Sequence, residues 1–230
     1  CSFFFFSFAV WYADRLIAGV CGDVVVWKPS SKTPLCAVAV QKLVAEVLKE
    51  NRLPEGIFNL LIGSGREIGD VVLEDERIRL VSFTGSTQNG RHVGELVAKR
   101  FGRSILELGG NNASIVTEHA DMAQAVPGIV FGAAGTTGQR CTTTRRVIVH
   151  ESRYEELVRR LKNGYDKLKI GNPLEEGVQI GPLTDAGVTQ EYVQTLADAR
   201  AQGGELLWGG ETLPELGQCR SEERRVGKEC

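Results

Sequence analysis

The sequence predicts an α/β protein with parallel strands, laid out as two consecutive α/β regions. Three observations carry that prediction. Val24-Val25-Val26-Trp27 is a continuous β-branched run bounded by Gly22-Asp23 and Pro29, as suits a strand buried on both faces of a parallel sheet. The stretch from Pro34 to Asn51 then sets Leu35, Val38, Ala39, Leu43 and Leu48 at helical spacing, which reads as a crossover helix. The same strand-then-helix alternation recurs to the end of the chain, the pattern of a layered α/β fold.

Lys28 ends the first strand. Ligands of α/β sheets bind at the carboxyl ends of strands, so this lysine either reaches a ligand or is a solvated strand-end cation. Ile57 to Ile62 reads as the next strand, followed by Gly63-Ser64-Gly65-Arg66-Glu67-Ile68-Gly69. Its last glycine interval is one residue too long for the dinucleotide fingerprint, and a turn leading into a helix that ends near Glu74 explains the glycines equally well. Arg79 to Phe83 is a further strand, and Thr84-Gly85-Ser86-Thr87 turns it into a helix running to about Phe101. Ser86 can cap that helix through its hydroxyl. The N–H groups beside it and the helix dipole favour an anion at the same place, so the turn is either a phosphate site or a plain capped helix.

Ser104 to Leu108 is the next strand-like run, with Glu107 near its end and a Gly-Gly turn after it. The domain boundary is expected near Asn111. Beyond it, Ser114 to Val116 reads as a strand, Asp121 to Ala134 as a helix and Val147 to Val149 as a strand. A helix from about Ser152 to Leu168, a Gly171-Asn172-Pro173 turn, a helix from about Asp185 to Ala201 and a last short strand, Glu205 to Trp208, complete the reading. Ile180-Gly181-Pro182-Leu183 is read as a structural turn.

Composition narrows the function classes. The 230 residues are 42% hydrophobic and 24% charged, with a net charge of −2, ordinary for a globular protein. No basic stripe is available to neutralise phosphates, which argues against nucleic-acid and membrane-surface roles. Six cysteines with no CxxC pair read as reduced thiols in a reducing compartment. His92, His119 and His150 have no ligand spacing, so no metal site is expected.

One cysteine stands apart. Thr136-Thr137-Gly138-Gln139-Arg140-Cys141-Thr142-Thr143-Thr144-Arg145-Arg146 puts a thiol on the connection between a helix and a strand. A free thiol is only a few per cent thiolate at neutral pH, and Arg140, Arg145 and nearby backbone N–H groups would favour the reactive anion. The residues alone leave two readings open, a nucleophile and a small packed cysteine. Leu106-Glu107-Leu108-Gly109-Gly110-Asn111-Asn112-Ala113 adds a carboxylate at a strand end, positioned to face a cleft as a general base.

Taken together, these stretches, with Phe83 to Thr87 and Trp27-Lys28-Pro29-Ser30, resemble the aldehyde dehydrogenase superfamily. The likeness runs from about Phe8 to Gly217. Asn111-Asn112 and the Arg140-Cys141 pair are most similar to the antiquitin, or α-aminoadipic semialdehyde (piperideine-6-carboxylate) dehydrogenase, branch. The resemblance implies a Rossmann-like NAD(P)-binding domain, partial over residues 8–110, followed by the first part of an α/β catalytic domain over residues 111–219. It implies NAD(P)+-dependent oxidation of an aldehyde, such as that semialdehyde, through a cysteine thiohemiacetal and thioester. Cys141 is then the nucleophile, Glu107 the general base and Arg140 a holder of a substrate carboxylate. Lys28 and Ser31 would meet the adenosine ribose, with Gly85 and Ser86 at the pyrophosphate. NAD is the expected cofactor, but NAD-preferring relatives often carry a glutamate where Ser31 stands, and its absence puts strict NAD preference in doubt and leaves NADP possible. The expected partners are a small-molecule aldehyde and, in a homo-oligomer such as a tetramer, further copies, in the cytoplasm or the mitochondrial matrix. A non-catalytic dinucleotide-binding or structural protein of the same fold is the alternative.

The two ends depart from the family pattern. Residues 1–7 are expected to be intron-like, non-native translation, and residues 220–230 an adapter-derived tail. The family asparagine that donates to the aldehyde oxygen falls at Phe5, which has no donor. With later family parts absent as well, this chain alone is expected to be inactive.

Overall fold

The computed structural model describes residues 16–213. The expectations for residues 1–7, for Phe5 and for residues 220–230 concern positions outside the described residues. The chain divides into two compact units, one ending at Leu108 and one starting at Gly109.

In the first unit, helix α1 is described over residues 16–20. Strand β1 (Val25–Trp27) is joined through helix α2 (Pro34–Glu50) to strand β2 (Phe58–Leu60), and the two strands pair parallel, Val25 against Phe58 and Trp27 against Leu60. Pro34 sits in the first turn of α2, where its missing N–H has no intrahelical acceptor to lose. A π-helical turn, Gly65–Gly69, and helix α3 (Asp70–Glu74) follow. The glycine-rich stretch is thus a capped turn: Ser64 Oγ accepts from the Glu67 N–H at 3.1 Å while Glu67 reaches back to the Ser64 N–H, the reciprocal capping box. Strand β3 (Leu80–Thr84), helix α4 (Thr87–Lys99) and strand β4 (Arg103–Glu107) form the next strand-helix-strand motif of the same unit. Here Leu80 pairs with Arg103 and Thr84 with Glu107, again in parallel.

The second unit repeats the arrangement. Strand β5 (Ala113–Val116), helix α5 (Met122–Ala134) and strand β6 (Arg146–Val149) make a third strand-helix-strand motif, its parallel strands in register from Ala113 and Arg146 to Val116 and Val149. Helices α6 (Tyr154–Asp166) and α7 (Ala186–Ala201) come after it. The Asp121 and Asp185 side chains cap α5 and α7, as their short acceptor side chains favour.

Each strand pair has its own small core under its crossover helix. Trp27, Ala37 and Val40 form the first, Leu73, Val93 and Val97 the second, and Val116, Met122, Ile129 and Leu157 the third. The opposite face of each pair is open. Val24 and Val26 are 68% and 39% exposed beside the buried Val25 and Trp27, so β1 is covered on one face and not on both. The reason is period 2: alternate side chains point to opposite faces, and a helix packs on one of them. Leu80, Ile105, Ile115 and Ile148 are exposed on the other pairs. The expected strand at Glu205 to Trp208 is reduced to a single bridge residue, Leu206. Gly203, Gly209 and Gly210, all at positive φ, turn the chain on both sides before a ladder can extend.

Candidate active site

In the first unit the singled-out residues lie at the carboxyl ends of the parallel pairs. Lys28 directly follows β1, and its ammonium donates to the Pro29 carbonyl at 2.8 Å and to the Gly63 carbonyl at 3.3 Å, spanning the ends of β1 and β2. Ser31 is exposed on the turn before α2. At the other pair, the Gly85 N–H donates to the Glu107 carbonyl at 3.1 Å, which carries the β3–β4 ladder one step past the strands. Ser86 is the N-cap of α4, and its Oγ accepts from the Asn89 N–H at 3.2 Å. Glu107 is the last residue of β4 and is exposed. The fold therefore brings Gly85, Ser86 and Glu107 together at one strand end.

In the second unit the cysteine loop is built on an unusual backbone. After α5, Thr136 and Thr137 take φ of 56° and 54°, followed by Gly138 at 68°. The left-handed region crowds a β-branched side chain, and such residues cost on the order of 1–3 kcal/mol each, held only where their surroundings over-determine them. Here the surroundings do so. Thr137 Oγ1 donates to the Gly181 carbonyl at 2.9 Å, the Gln139 N–H to the Thr136 carbonyl at 3.0 Å, and the Arg140 N–H to Thr143 Oγ1 at 3.0 Å. Thr143 is itself 5% exposed.

Cys141 sits on the turn that follows, exposed and unpaired as a thiol. Its carbonyl accepts from Asn112 Nδ2 at 2.6 Å, and the same amide donates to the Thr143 carbonyl at 3.0 Å. Among the described residues no acceptor engages the Cys141 N–H. Cys36, by contrast, is buried.

The arginines near the thiol are committed to backbone oxygens. Arg140 folds back onto the end of α5, where Nη2 donates to the Phe131 carbonyl at 3.1 Å and the guanidinium lies 4.9 Å from the Phe131 ring centroid. A cation is favourable at a helix C-terminus. A Cβ on Gly135 would fall on that guanidinium, so the glycine leaves it room. Arg140 Nε is buried and has no hydrogen-bond partner among the described residues. Arg145 Nε donates to the Gly110 carbonyl at 2.9 Å, and Arg146 donates twice to the Asn111 carbonyl, at 3.1 and 2.6 Å. The Gly109 to Asn112 turn and the cysteine loop are therefore one hydrogen-bonded body.

Sequence reasoning missed two of the residues that shape this loop. Asn112 stood out only as part of a resemblance, and Gln139 only as a member of the cysteine motif. The available signal was chemical: an amide side chain beside a Gly-Gly turn, and another two residues before a cysteine, each able to bind exposed backbone groups. Among the described residues no group of three His, Cys, Asp or Glu side chains could hold a metal ion, and no helix is long and apolar enough to cross a membrane.

Residues 4–221 match the family model described as "Aldehyde dehydrogenase family". The chain is 44% identical over 214 residues to the alpha-aminoadipic semialdehyde dehydrogenase of Bos taurus, covering 93% of this chain and 40% of that protein. Among solved structures, glyceraldehyde-3-phosphate dehydrogenase GapN from Methanocaldococcus jannaschii, complexed with NADP, superposes with a TM-score of 0.82 at 32% identity, covering 87% of this chain and 43% of that one. Betaine aldehyde dehydrogenase from Staphylococcus aureus, in complex with NAD+, gives a TM-score of 0.78 at 29% identity, over 89% and 40% of the two chains.

Proposed function

The chain belongs to the aldehyde dehydrogenase family, and we propose that the protein containing it oxidises a semialdehyde to the carboxylate with NAD(P)+, Cys141 being the nucleophile. The observation that carries this reading is the state of Cys141: an exposed thiol on a braced loop, its carbonyl held by Asn112 and its own N–H uncommitted among the described residues.

The residues present fit a dinucleotide. Lys28 offers an ammonium at the ends of β1 and β2. The first N–H groups of a helix have no intrahelical partner, and at α4 the Ser86 hydroxyl takes the one on Asn89, leaving the start of the helix suited to a phosphate. Lys28 and Ser31 would hold the adenosine ribose, and Gly85 with Ser86 the pyrophosphate. When bound, the nicotinamide cofactor supplies the hydride acceptor. With a serine at position 31 there is no carboxylate to repel a 2′-phosphate, which supports acceptance of NADP beside NAD.

Cys141 adds through sulfur to the aldehyde carbon and makes it tetrahedral, a thiohemiacetal whose oxygen the Cys141 N–H stabilises. That carbon can now release its hydride, and with loss of the hydroxyl proton the group becomes a thioester. Glu107 takes a proton from water. The hydroxide formed attacks the thioester carbon, the C–S bond breaks, and the acid leaves with Cys141 restored. Arg140 would hold the distal carboxylate of the substrate, swinging from the Phe131 carbonyl to do so. The bovine relative's name directs the choice of substrate toward α-aminoadipic semialdehyde.

The chain spans 40% of the length of that relative, and its strand pairs each leave one apolar face open. These features support the reading that the 230-residue chain is inactive by itself and that the whole protein is the active species. The test is an aldehyde panel headed by α-aminoadipic semialdehyde, offered to the full-length protein with NAD+ or NADP+ while reduced nicotinamide is followed by absorbance. Turnover that Cys141→Ala abolishes is the expected result, and no turnover with any aldehyde overturns the proposal.

A further inference from the structure

Gln139 is bound at both ends of its amide. Its Oε1 accepts from the Thr184 N–H at 2.8 Å and from the Thr184 hydroxyl at 2.6 Å, while Nε2 donates to the Pro182 and Thr136 carbonyls, each at 3.4 Å. The chemistry of the partners fixes which end is which. A backbone N–H can only donate and a proline carbonyl can only accept, so the oxygen must face Thr184 and the nitrogen Pro182. With the Thr137 hydroxyl on the Gly181 carbonyl, residues 181–184 grip the cysteine loop at two successive points.

The gripped segment is the left-handed Thr136-Thr137-Gly138 turn. Two threonines do not hold that backbone unaided, and only Arg140 separates Gln139 from Cys141. Downstream, Asn112 grips the carbonyls of Cys141 and Thr143, so the thiol lies between two clamps, one on each side along the chain.

We propose that Gln139 is a positioning residue for Cys141: by tying the strained turn to residues 181–184 it fixes the direction in which the Cys141 thiol and N–H meet the aldehyde. The inference rests on the reading of Cys141 as nucleophile and deepens it, since Gln139 acts through the backbone and takes no part in bond making. It also assigns a role to the Ile180 to Thr184 turn, which becomes the outer support of the site.

Thr184 supplies the decisive variants, because it shares the contact with Gln139 and lies far from the cysteine in sequence. In the full-length protein, Gln139→Ala removes the contact, Thr184→Val removes the hydroxyl donor, and Thr184→Ser keeps it. Gln139→Ala is expected to lower kcat about 100-fold, the scale of a 1 Å misplacement at a reacting centre, with cofactor KM near that of the unmodified protein. Thr184→Val is expected to lower kcat about tenfold, the scale of one hydrogen bond, and Thr184→Ser to restore it. The double variant should be no slower than Gln139→Ala alone. Alkylation of Cys141 by iodoacetamide, read by mass spectrometry, should slow in the same order. Unchanged kcat and alkylation in Gln139→Ala, or additive losses in the double variant, overturn the proposal. If Gln139→Ala does not fold, unchanged kcat and alkylation in Thr184→Val overturn it. Absence of aldehyde turnover in the unmodified protein is a failure of the catalytic reading, and the alkylation series then decides the positioning by itself.

Discussion

The amide nitrogen of Asn112 lies 2.6 Å from the carbonyl oxygen of Cys141 and 3.0 Å from that of Thr143, so a single side chain holds both ends of the turn that carries the thiol. Asn112→Ala leaves two carbonyls without this donor, and each lost hydrogen bond is worth about 0.5–1.5 kcal/mol. Denaturant unfolding of the full-length protein is expected to show a loss of about 1–3 kcal/mol. Asn112→Asp, which keeps the shape and removes the donor, should lose as much.

Cys141→Ala is expected to abolish aldehyde oxidation while leaving cofactor affinity within about twofold, because the cofactor residues proposed here belong to the other strand ends. Calorimetric titration with NAD+ checks the second half. Loss of cofactor binding together with turnover would count against a role confined to chemistry.

Glu107→Gln should separate the two halves of the reaction. General-base assistance contributes about 100- to 10,000-fold, so the variant should deliver a first turnover of reduced cofactor and then stall as the thioester. Stopped-flow absorbance would show this as a burst with a slow steady state. A burst-free trace, with the first turnover itself slowed, would place Glu107 elsewhere in the mechanism.

Ser31→Glu introduces a carboxylate where a ribose 2′-phosphate would lie. Like-charge repulsion in a partly exposed site costs about 1–2 kcal/mol, so kcat/KM with NADP+ should fall about tenfold or more while that with NAD+ holds or rises. Equal effects on both cofactors would remove Ser31 from the ribose site.

Arg77 donates to both oxygens of Asp75, at 3.0, 3.1 and 2.6 Å. That side-chain hydrogen bonding, with the Arg77 N–H beside it, pulls the Asp75 carboxyl down from 3.8 to about 2. A carboxyl lowered in the folded state adds stability above its ordinary value and loses it as pH falls through the folded one. The Asp75 contribution is therefore present at neutral pH and fades between about pH 4 and pH 2. In Arg77→Ala, a carbon-13 titration of the Asp75 carboxyl should return it toward the ordinary carboxylate range. An unchanged midpoint would assign the shift to another cause.

Much of the fold was legible because its elements are locally encoded. The Val24 to Trp27 run, Pro34 at the start of α2, and Ser86, Asp121 and Asp185 before their helices each state a boundary in residue chemistry, and the elements form within a residue or two of those signals. The covered faces were less legible. Val24 and Val26 look like Val25 in sequence, yet they are exposed and Val25 is buried, because covering depends on which side the crossover helix packs. The short Glu205 to Trp208 run failed as a strand for a related reason: a strand needs a ladder partner, and a β-forming composition does not provide one.

By itself the sequence indicated the order of strands and helices, the caps that start the helices, and Cys141, Glu107, Lys28, Gly85 and Ser86 as chemically apt candidates, while Ser31 and the substrate role of Arg140 came from the family resemblance. Tertiary structure alone decided how the cysteine loop is held. The contacts of Asn112 with Cys141, of Gln139 with Thr184 and of Arg140 with Phe131 join residues whose separation carries no periodicity. Hydrogen bonds to backbone groups leave no side-chain pattern at the receiving end, since every residue carries a carbonyl and nearly every one an N–H. Which carbonyl an amide or guanidinium finds is fixed only when the strands and helices have brought the chain together.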